Sequence, residues 1–260
     1  MLRHRLLDKL ALLPSRHVIE TPTQQPFTLE TARGRLEIFQ RRYPESSDQP
    51  IQRLIIKWPG NAGRAENSTE HPAIAWPGQT SELWTINPLG YGKSDGRASL
   101  NNIPAMAEAV WKHAKQVHPD LPILLFGTSI GCVTTLYQTT IAQQDQHLQG
   151  IILRNPPPLQ ELINGHYHRW FYGPVTGWLT ASLSEAADSV LQATRCRVPM
   201  LMIQSGADTT VPTSYQDLIF DAYAGAKTRF LIPGAEHNDL PGDSQLADYL
   251  ATIRELFPRK

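Results

Sequence analysis

The sequence predicts an α/β protein in which a mostly parallel central sheet of about eight strands carries helices on both faces. Segments typical of strands and of helices alternate along most of the 260 residues, and this order favours a parallel sheet. Several of the strand segments are almost wholly apolar, as expected of strands that helices cover on both sides. A chain of this length fits one domain, so we expect residues 1–260 to form a single unit.

Eight segments are predicted to be strands. In chain order they are 27–31, 36–41, 54–58, 83–86, 123–126, 150–153, 198–203 and 228–232. Four further segments read as helices, namely 103–117, 130–142, 213–224 and 243–256. The first of these helices repeats apolar residues at steps of three and one, which is the spacing of a buried helix stripe.

Residues 1–20 predict an N-terminal helical extension. Leu2, Leu6, Leu10 and Leu13 recur at helical spacing among basic residues, and Leu7 and Leu12 lie beside them. We expect this helix to pack on the body of the fold, because surface helices usually bury their apolar stripe in their own domain. A peripheral membrane contact by the same basic, amphipathic helix is the alternative. The sequence has no run of about 18 apolar residues, so we expect no transmembrane helix.

Charge and cysteine content exclude several classes of function. The chain has 24 basic and 24 acidic residues, and a protein that binds nucleic acid needs a basic face, so we expect no nucleic-acid partner. Cys132 and Cys196 are too few for a disulfide scaffold and have no histidines at zinc-ligand spacing. We expect both to be small buried hydrophobic residues, and the protein to be cytoplasmic.

The run Gly127-Thr128-Ser129-Ile130-Gly131 has the pattern G-x-S-x-G between a predicted strand and a predicted helix. A sharp strand-to-helix turn exposes the hydroxyl of its central serine, and side chains in place of the flanking glycines would collide with the neighbouring strand or helix. The helix that follows directs its N–H groups and the positive end of its dipole at the site. A plain β–α turn is the alternative, but the position of the motif predicts that Ser129 is a nucleophile.

A serine hydroxyl needs a base, and two later strands end in suitable residues. Asp208 follows the strand at 198–203, and His237 follows the last strand. Ligands of such sheets bind at the carboxyl ends of the strands, and the order Ser, Asp, His is that of a known hydrolase fold. We predict that His237 accepts the serine proton and that Asp208 orients the imidazole. Asp208 alone could be a turn carboxylate, and Asp239 shares a loop with His237, so it is a poor orienting group.

With these residues in place, the sequence resembles the α/β-hydrolases. The resemblance rests on the strand-to-turn run around Ser129, GADTTVP at 206–212 and GAEHND at 234–239. More narrowly, GNAG at 60–63, LGYGKS at 89–94 and HND at 237–239 resemble the BEM46/ABHD13/ABHD17-like serine hydrolases, often labelled serine aminopeptidase S33-like. The resemblance implies an α/β-hydrolase fold, hydrolysis of an ester, thioester or amide, and no metal or organic cofactor.

An oxyanion hole needs two N–H donors. One is expected from the backbone of Ile130, directly after the nucleophile. By the resemblance, the backbone of Asn61 supplies the second, and Gly60 permits a close approach of the backbone. The sequence departs from the family at Pro59, where the family usually has histidine. Proline has a fixed φ and no N–H, so this loop can be held differently.

Residues 156–195 interrupt the alternation and predict a lid-like insertion. The segment is rich in aromatic residues, and Tyr167 and Trp170 are candidates to contact the substrate, although packing on the body would equally explain them. Gly60 and Tyr91 are the other candidate substrate contacts.

Together these features predict a serine hydrolase that cleaves a carboxylic ester or thioester of a small acyl substrate through an acyl-enzyme. A peptidase or amidase with the same triad is the first alternative. A non-catalytic binding protein on the same fold is the second, since a fold does not determine a function.

Overall fold

A computed structural model describes residues 2–21, 25–167 and 173–258, and a single eight-stranded sheet runs through it. All eight predicted strands are present. They are β1 (Gln25–Thr31), β2 (Gly34–Tyr43), β3 (Arg53–Trp58), β4 (Ser81–Asn87), β5 (Ile123–Thr128), β6 (Leu148–Arg154), β7 (Met200–Ser205) and β8 (Lys227–Ile232).

The spatial order of the strands is β1-β2-β4-β3-β5-β6-β7-β8. β1 and β2 form an antiparallel hairpin, and β2 is also antiparallel to β4. In the remaining order β4-β3-β5-β6-β7-β8, each strand runs parallel to the next. Because parallel strands end at the same edge, the loops that follow β3, β5, β6, β7 and β8 meet at one edge of the sheet.

The helices cover both faces of this sheet. They are α1 (Leu2–Ala11), α2 (Ile103–Val117), α3 (Gly131–Ala142), α4 (Leu159–Tyr167), α5 (Gly173–Thr180), α6 (Ser189–Arg195), α7 (Thr213–Ala222) and α8 (Asp243–Leu256). The predicted helices correspond to α2, α3, α7 and α8. Alternate residues of β3 face opposite cores, since Ile56 belongs to the core that includes α2 and α3, and Ile55 to the core that includes α8.

The N-terminal extension is helical only as far as Ala11, so the prediction of a helix through residue 20 is too long. The helix packs on the body as expected, but with a different face from the one predicted. Leu7 is 2% exposed, and the side chain of Asp8 accepts a hydrogen bond from the Leu100 N–H at 2.9 Å. The leucines at positions 2, 6, 10 and 13 are instead 70%, 41%, 38% and 59% exposed.

Within the described residues of the predicted lid-like insertion there are three short α-helices, α4, α5 and α6. The last of them, α6, begins at a capping contact in which Asp188 accepts a hydrogen bond from the Leu191 N–H at 2.9 Å. It packs against α3 and α7, so the end of the insertion belongs to the body of the fold. Cys132 and Cys196 are buried, as predicted, and both thiols are free. None of the helices within the described ranges has the length and apolar character needed to cross a bilayer.

Candidate active site

Ser129 occupies a sharp turn between β5 and α3. Its φ is +50°, in the left-handed region that residues with a side chain rarely adopt. The surrounding backbone holds it there, since the Ser129 N–H donates to the Arg154 carbonyl at 2.8 Å and the Ser129 carbonyl accepts from the Cys132 N–H at 2.9 Å. The side chain stands at the edge of the sheet where the parallel strands end, directly before the first turn of α3.

Both glycines of the motif are required by close packing. A Cβ at Gly131 would lie 2.1 Å from the Trp58 carbonyl oxygen, because α3 begins directly against the end of β3. A Cβ at Gly127 would lie 2.5 Å from Thr135 Oγ1. The turn therefore tolerates no side chain at either position, because a side chain there would collide with the neighbouring strand or helix, as predicted.

Asp208 and His237 are joined side chain to side chain. The distance from His237 Nδ1 to Asp208 Oδ2 is 2.6 Å, and the Asp208 side chain is completely buried. The other carboxylate oxygen accepts hydrogen bonds from the N–H groups of Thr210 and Val211 at 2.9 and 2.8 Å. A carboxylate at Nδ1 favours the proton on that nitrogen, which leaves the Nε2 lone pair available as a base.

Ser129 and His237 line the same pocket, which has a volume of about 550 Å³. Within the described part of the chain Ser129 Oγ forms no hydrogen bond, so the expected contact with His237 Nε2 is not made. Catalytic hydrogen bonds commonly tighten only when substrate is bound. Much of the remaining pocket wall is aliphatic, from Leu10, Leu13, Leu159, Leu162, Ile163 and Val211.

The two predicted oxyanion donors flank this pocket. Asn61 and Ile130 both line it, and neither backbone N–H donates to another group in the described residues. The loop after β3 turns tightly, with a hydrogen bond of 2.9 Å from the Gly63 N–H to the Gly60 carbonyl. A Cβ at Gly60 would lie 3.3 Å from the Ser129 Cβ, so glycine allows the loop to approach the serine.

The side chain of Asn61 is held by the N-terminal segment, a contact that the sequence did not predict. The Leu13 N–H donates to Asn61 Oδ1 at 2.6 Å, and Asn61 Nδ2 donates to the Ala11 carbonyl at 3.0 Å. The Tyr91 hydroxyl donates to the same Oδ1 at 3.3 Å, and burial raises the pKa of Tyr91 to about 12. The loop after β3 is therefore fixed by residues about 50 positions earlier in the chain.

Further contacts fasten this segment to the body. Arg16 donates from Nε to the Gly90 carbonyl at 3.0 Å and from Nη2 to the Gly96 carbonyl at 2.6 Å. The Ser15 carbonyl accepts from the Gly92 N–H at 2.9 Å. Three glycines of the loop after β4 thus bind the extension through their backbones, and the extension becomes part of the pocket wall.

Asn155 supports the histidine loop and was also missed. It follows β6 with φ at +49° and is completely buried. Its Nδ2 donates to the His237 carbonyl at 2.8 Å and to Ser205 Oγ at 3.0 Å, and its Oδ1 accepts from the Ser205 N–H at 2.9 Å. A polar residue directly after an apolar strand was the available signal, since asparagine tolerates positive φ better than most residues.

The predicted substrate contacts have different outcomes. Gly60 lines the pocket of Ser129. Tyr91 instead lines a separate cavity of about 40 Å³, and its hydroxyl donates to Asn61 Oδ1. Tyr167 is the last residue of α4, and Trp170 lies outside the described residues.

Comparison with known proteins identifies the fold. No family profile matches the chain. It is 27% identical over 194 residues to the uncharacterized protein YfhR of Escherichia coli, and this match covers 73% of the chain but only 64% of YfhR. The α/β-hydrolase of Vibrio vulnificus superposes with a TM-score of 0.72 at 17% identity, covering 98% of this chain and 93% of that one. The Pyrococcus furiosus esterase Pf2001 gives 0.70 at 14% identity, covering 95% and 99%. The chain has the α/β-hydrolase fold.

Proposed function

We propose that this chain is a serine hydrolase that cleaves a carboxylic ester or thioester through an acyl-enzyme, with Ser129 as nucleophile, His237 as base and Asp208 as the group that orients the base. One observation carries the proposal. A serine held at φ +50° shares a pocket with a histidine whose Nδ1 lies 2.6 Å from a buried carboxylate. Such an arrangement activates a weak nucleophile and leaves it open to a substrate.

The reaction proceeds in two displacements. Ser129 Oγ attacks the carbonyl carbon while His237 Nε2 accepts the hydroxyl proton, and the carbonyl oxygen becomes an oxyanion. The Ile130 and Asn61 N–H groups stabilise that oxyanion. The C–O or C–S bond to the leaving group then breaks, and the imidazolium returns its proton to the departing oxygen or sulfur. Water, deprotonated by His237, attacks the acyl-enzyme, and collapse of the second intermediate releases the acid and restores Ser129.

The aliphatic wall of the pocket favours a substrate whose acyl group carries a hydrocarbon chain. Leu10 and Leu13 come from the N-terminal segment, Leu162 and Ile163 from α4, and Val211 from the loop after β7. Burying each methylene of an acyl chain against such side chains contributes about 0.8 kcal/mol. We therefore expect kcat/KM to rise with chain length in a series of nitrophenyl esters until the pocket is filled.

A fluorophosphonate probe tests the role of Ser129. We expect the probe to label wild-type protein at neutral pH, and Ser129→Ala to abolish both labelling and ester hydrolysis. Ser214→Ala, at an exposed serine of α7, is the matched control and should retain both. Absence of labelling in the folded wild-type protein would refute the hydrolase and favour a binding role for the fold.

Two variants of one residue test the oxyanion donor. Asn61→Ala removes the contacts to Ala11 and Leu13 but keeps the backbone N–H. Asn61→Pro removes both, so the difference between the two variants reports on the N–H itself. We expect Asn61→Pro to have a kcat lower than that of Asn61→Ala by a further factor of about 10²–10³. Equal kcat values in two folded variants would mean that the second donor lies elsewhere.

A further inference from the structure

A second pocket, here called the cationic pocket, lies at the carboxyl ends of β3, β5 and β6 and has a volume of about 300 Å³. Three basic side chains line it, those of Lys57, Arg64 and Arg154, together with His71 and Tyr249. The guanidinium of Arg64 is paired with the buried carboxylate of Glu66, so the charges of Lys57 and Arg154 are the ones that lack a paired carboxylate among the described residues. No aspartate or glutamate is among the described residues that line it.

The sheet explains why two of these cations meet. Lys57 of β3 is the register partner of Phe126, and Thr128 of β5 is the register partner of Arg154. Since Phe126 and Thr128 are two residues apart, Lys57 and Arg154 lie on one face of the sheet, on either side of β5. This is the face covered by α8, from which Tyr249 enters the pocket wall. Two cations thus flank the strand that carries the Ser129 turn.

Lys57 is buried without a compensating carboxylate. It is 7% exposed, and its ammonium donates to the Thr69 carbonyl at 2.7 Å. It takes part in none of the ion pairs among the described residues. Glu70 favours its charge, but that carboxylate is paired with Arg41 at 2.6 Å. Burial, together with Arg41, therefore lowers the pKa of Lys57 to about 7.

Arg154 adds a second positive charge to the pocket, whereas His71 and Tyr249 are neutral polar groups. Arg154 donates to the Asp239 carbonyl, while its Nε is buried with no hydrogen-bond partner in the described part of the chain. Burial, together with the charges of Lys57 and Arg154, lowers the pKa of His71 to about 4. His71 is thus neutral at physiological pH, and its Nδ1 lies 3.4 Å from the Tyr249 hydroxyl. Neutral hydrogen-bonding groups therefore stand beside two cations.

We propose that the cationic pocket binds the anionic group of a small molecule, a carboxylate, phosphate or sulfate, through Lys57 and Arg154. Burying a cation costs free energy unless an opposite charge or hydrogen bonds compensate it, and a bound anion supplies both. Gly60, Thr128 and Asn238 line this pocket and the Ser129 pocket alike, so the bound group adjoins the candidate active site. The anion is either a separate ligand or one end of the substrate.

Isothermal titration with sodium sulfate tests binding without any need for catalysis. Sulfate does not titrate near neutral pH, so any protons taken up on binding belong to the protein. We expect wild-type protein to bind sulfate more tightly at pH 6.5 than at pH 8.5, because the anion favours the protonated form of Lys57, and to take up protons as it binds. Ser129→Ala should bind equally well, which separates this proposal from the hydrolase.

Lys57→Met is the decisive variant, since methionine preserves much of the length of the side chain without its charge. We expect it to lower sulfate affinity at least tenfold and to abolish proton uptake. Lys112→Met, at an exposed lysine of α2, is the matched control and should change neither. Tyr249→Phe is a second variant of the pocket that keeps the aromatic ring, so it tests the site even if Lys57→Met misfolds. It should weaken sulfate binding, but less than Lys57→Met does. No saturable binding by wild-type protein, or equal binding by folded Lys57→Met, would overturn the proposal.

A pair of esters then distinguishes the two sources of the anion. Nitrophenyl butyrate and nitrophenyl hemisuccinate have similar acyl chains, and only the second ends in a carboxylate. A wild-type preference for the hemisuccinate that Lys57→Met abolishes would identify the anion as part of the substrate. Sulfate binding with no such preference would identify a separate ligand. Either result upholds the anion site.

Discussion

Asn155 offers a quantitative test of how the histidine loop is supported. Its side chain makes three hydrogen bonds, to Ser205 Oγ, to the Ser205 N–H and to the His237 carbonyl. Asn155→Gly removes all three and keeps a residue that tolerates positive φ. At about 1 kcal/mol of net stabilisation for each hydrogen bond, we expect the free energy of unfolding to fall by about 3 kcal/mol.

Asn155→Ala adds the cost of the left-handed backbone. An alanine at φ +49° is disfavoured by a further ~1–2 kcal/mol relative to glycine, so the alanine variant should be the less stable of the two. Urea denaturation measures both values, and an unchanged m-value confirms that the comparison concerns the same transition. The two variants together separate the hydrogen bonds from the backbone strain.

Activity supplies the second readout. Because the His237 carbonyl loses its partner, the imidazole is less well positioned, and we expect kcat to fall roughly 10- to 100-fold in both variants with little change in KM. If Asn155→Ala unfolds at the wild-type urea concentration, the three contacts do not stabilise the fold. If kcat is also unchanged, Asn155 does not position His237.

Three further predictions concern packing, pH and the N-terminal helix. Gly131→Ala places its Cβ 2.1 Å from a backbone carbonyl oxygen and should lower the melting temperature strongly, whereas Gly177→Ala, with open space around its Cβ, should not. The pKa of Lys57 is about 7 in the folded protein and about 10.4 in the unfolded chain, so the unfolded state binds more protons between these pH values. The free energy of unfolding should therefore rise with pH in this range. Lys57→Met should flatten that rise, as measured by urea denaturation at several pH values. Leu6→Gln should weaken cosedimentation with anionic vesicles, and Leu218→Gln, equally exposed on α7, should not; equal binding by both would exclude a membrane contact through α1.

The central sheet was predictable because its strands are specified locally. The segment from Ile123 to Phe126 is apolar at every position, which is typical of a strand buried on both faces of a sheet. The insertion at 156–195 was not divided into helices beforehand, since α5 and α6 are only eight and seven residues long and depend on packing for their stability. The buried face of α1 was misjudged because Asp8, a charged residue, turns inward to bind the Leu100 N–H.

At the candidate site, the residues that belong to a sequence motif could be predicted, whereas the contacts that hold their loops in place could not. Ser129, Asp208 and His237 follow strands whose order can be read along the chain. The contacts of Asn61 with the N-terminal segment span 48 and 50 residues, and the contact of Asn155 with His237 spans 82. No periodicity in the sequence encodes such pairings, because they form only when the sheet brings distant loops to one edge.

The way in which the N-terminal segment holds Asn61 has a consequence for how this pocket can change during evolution. Positions 11 and 13 bind the Asn61 side chain through their backbone carbonyl and N–H, which any residue other than proline at position 13 retains. The side chains at positions 10 and 13 meanwhile form part of the pocket wall. Mutations at positions 10 and 13 can therefore reshape the pocket while the backbone hydrogen bonds to Asn61 are kept. A small library randomised at positions 10 and 13 is accordingly a direct route to altered acyl preference.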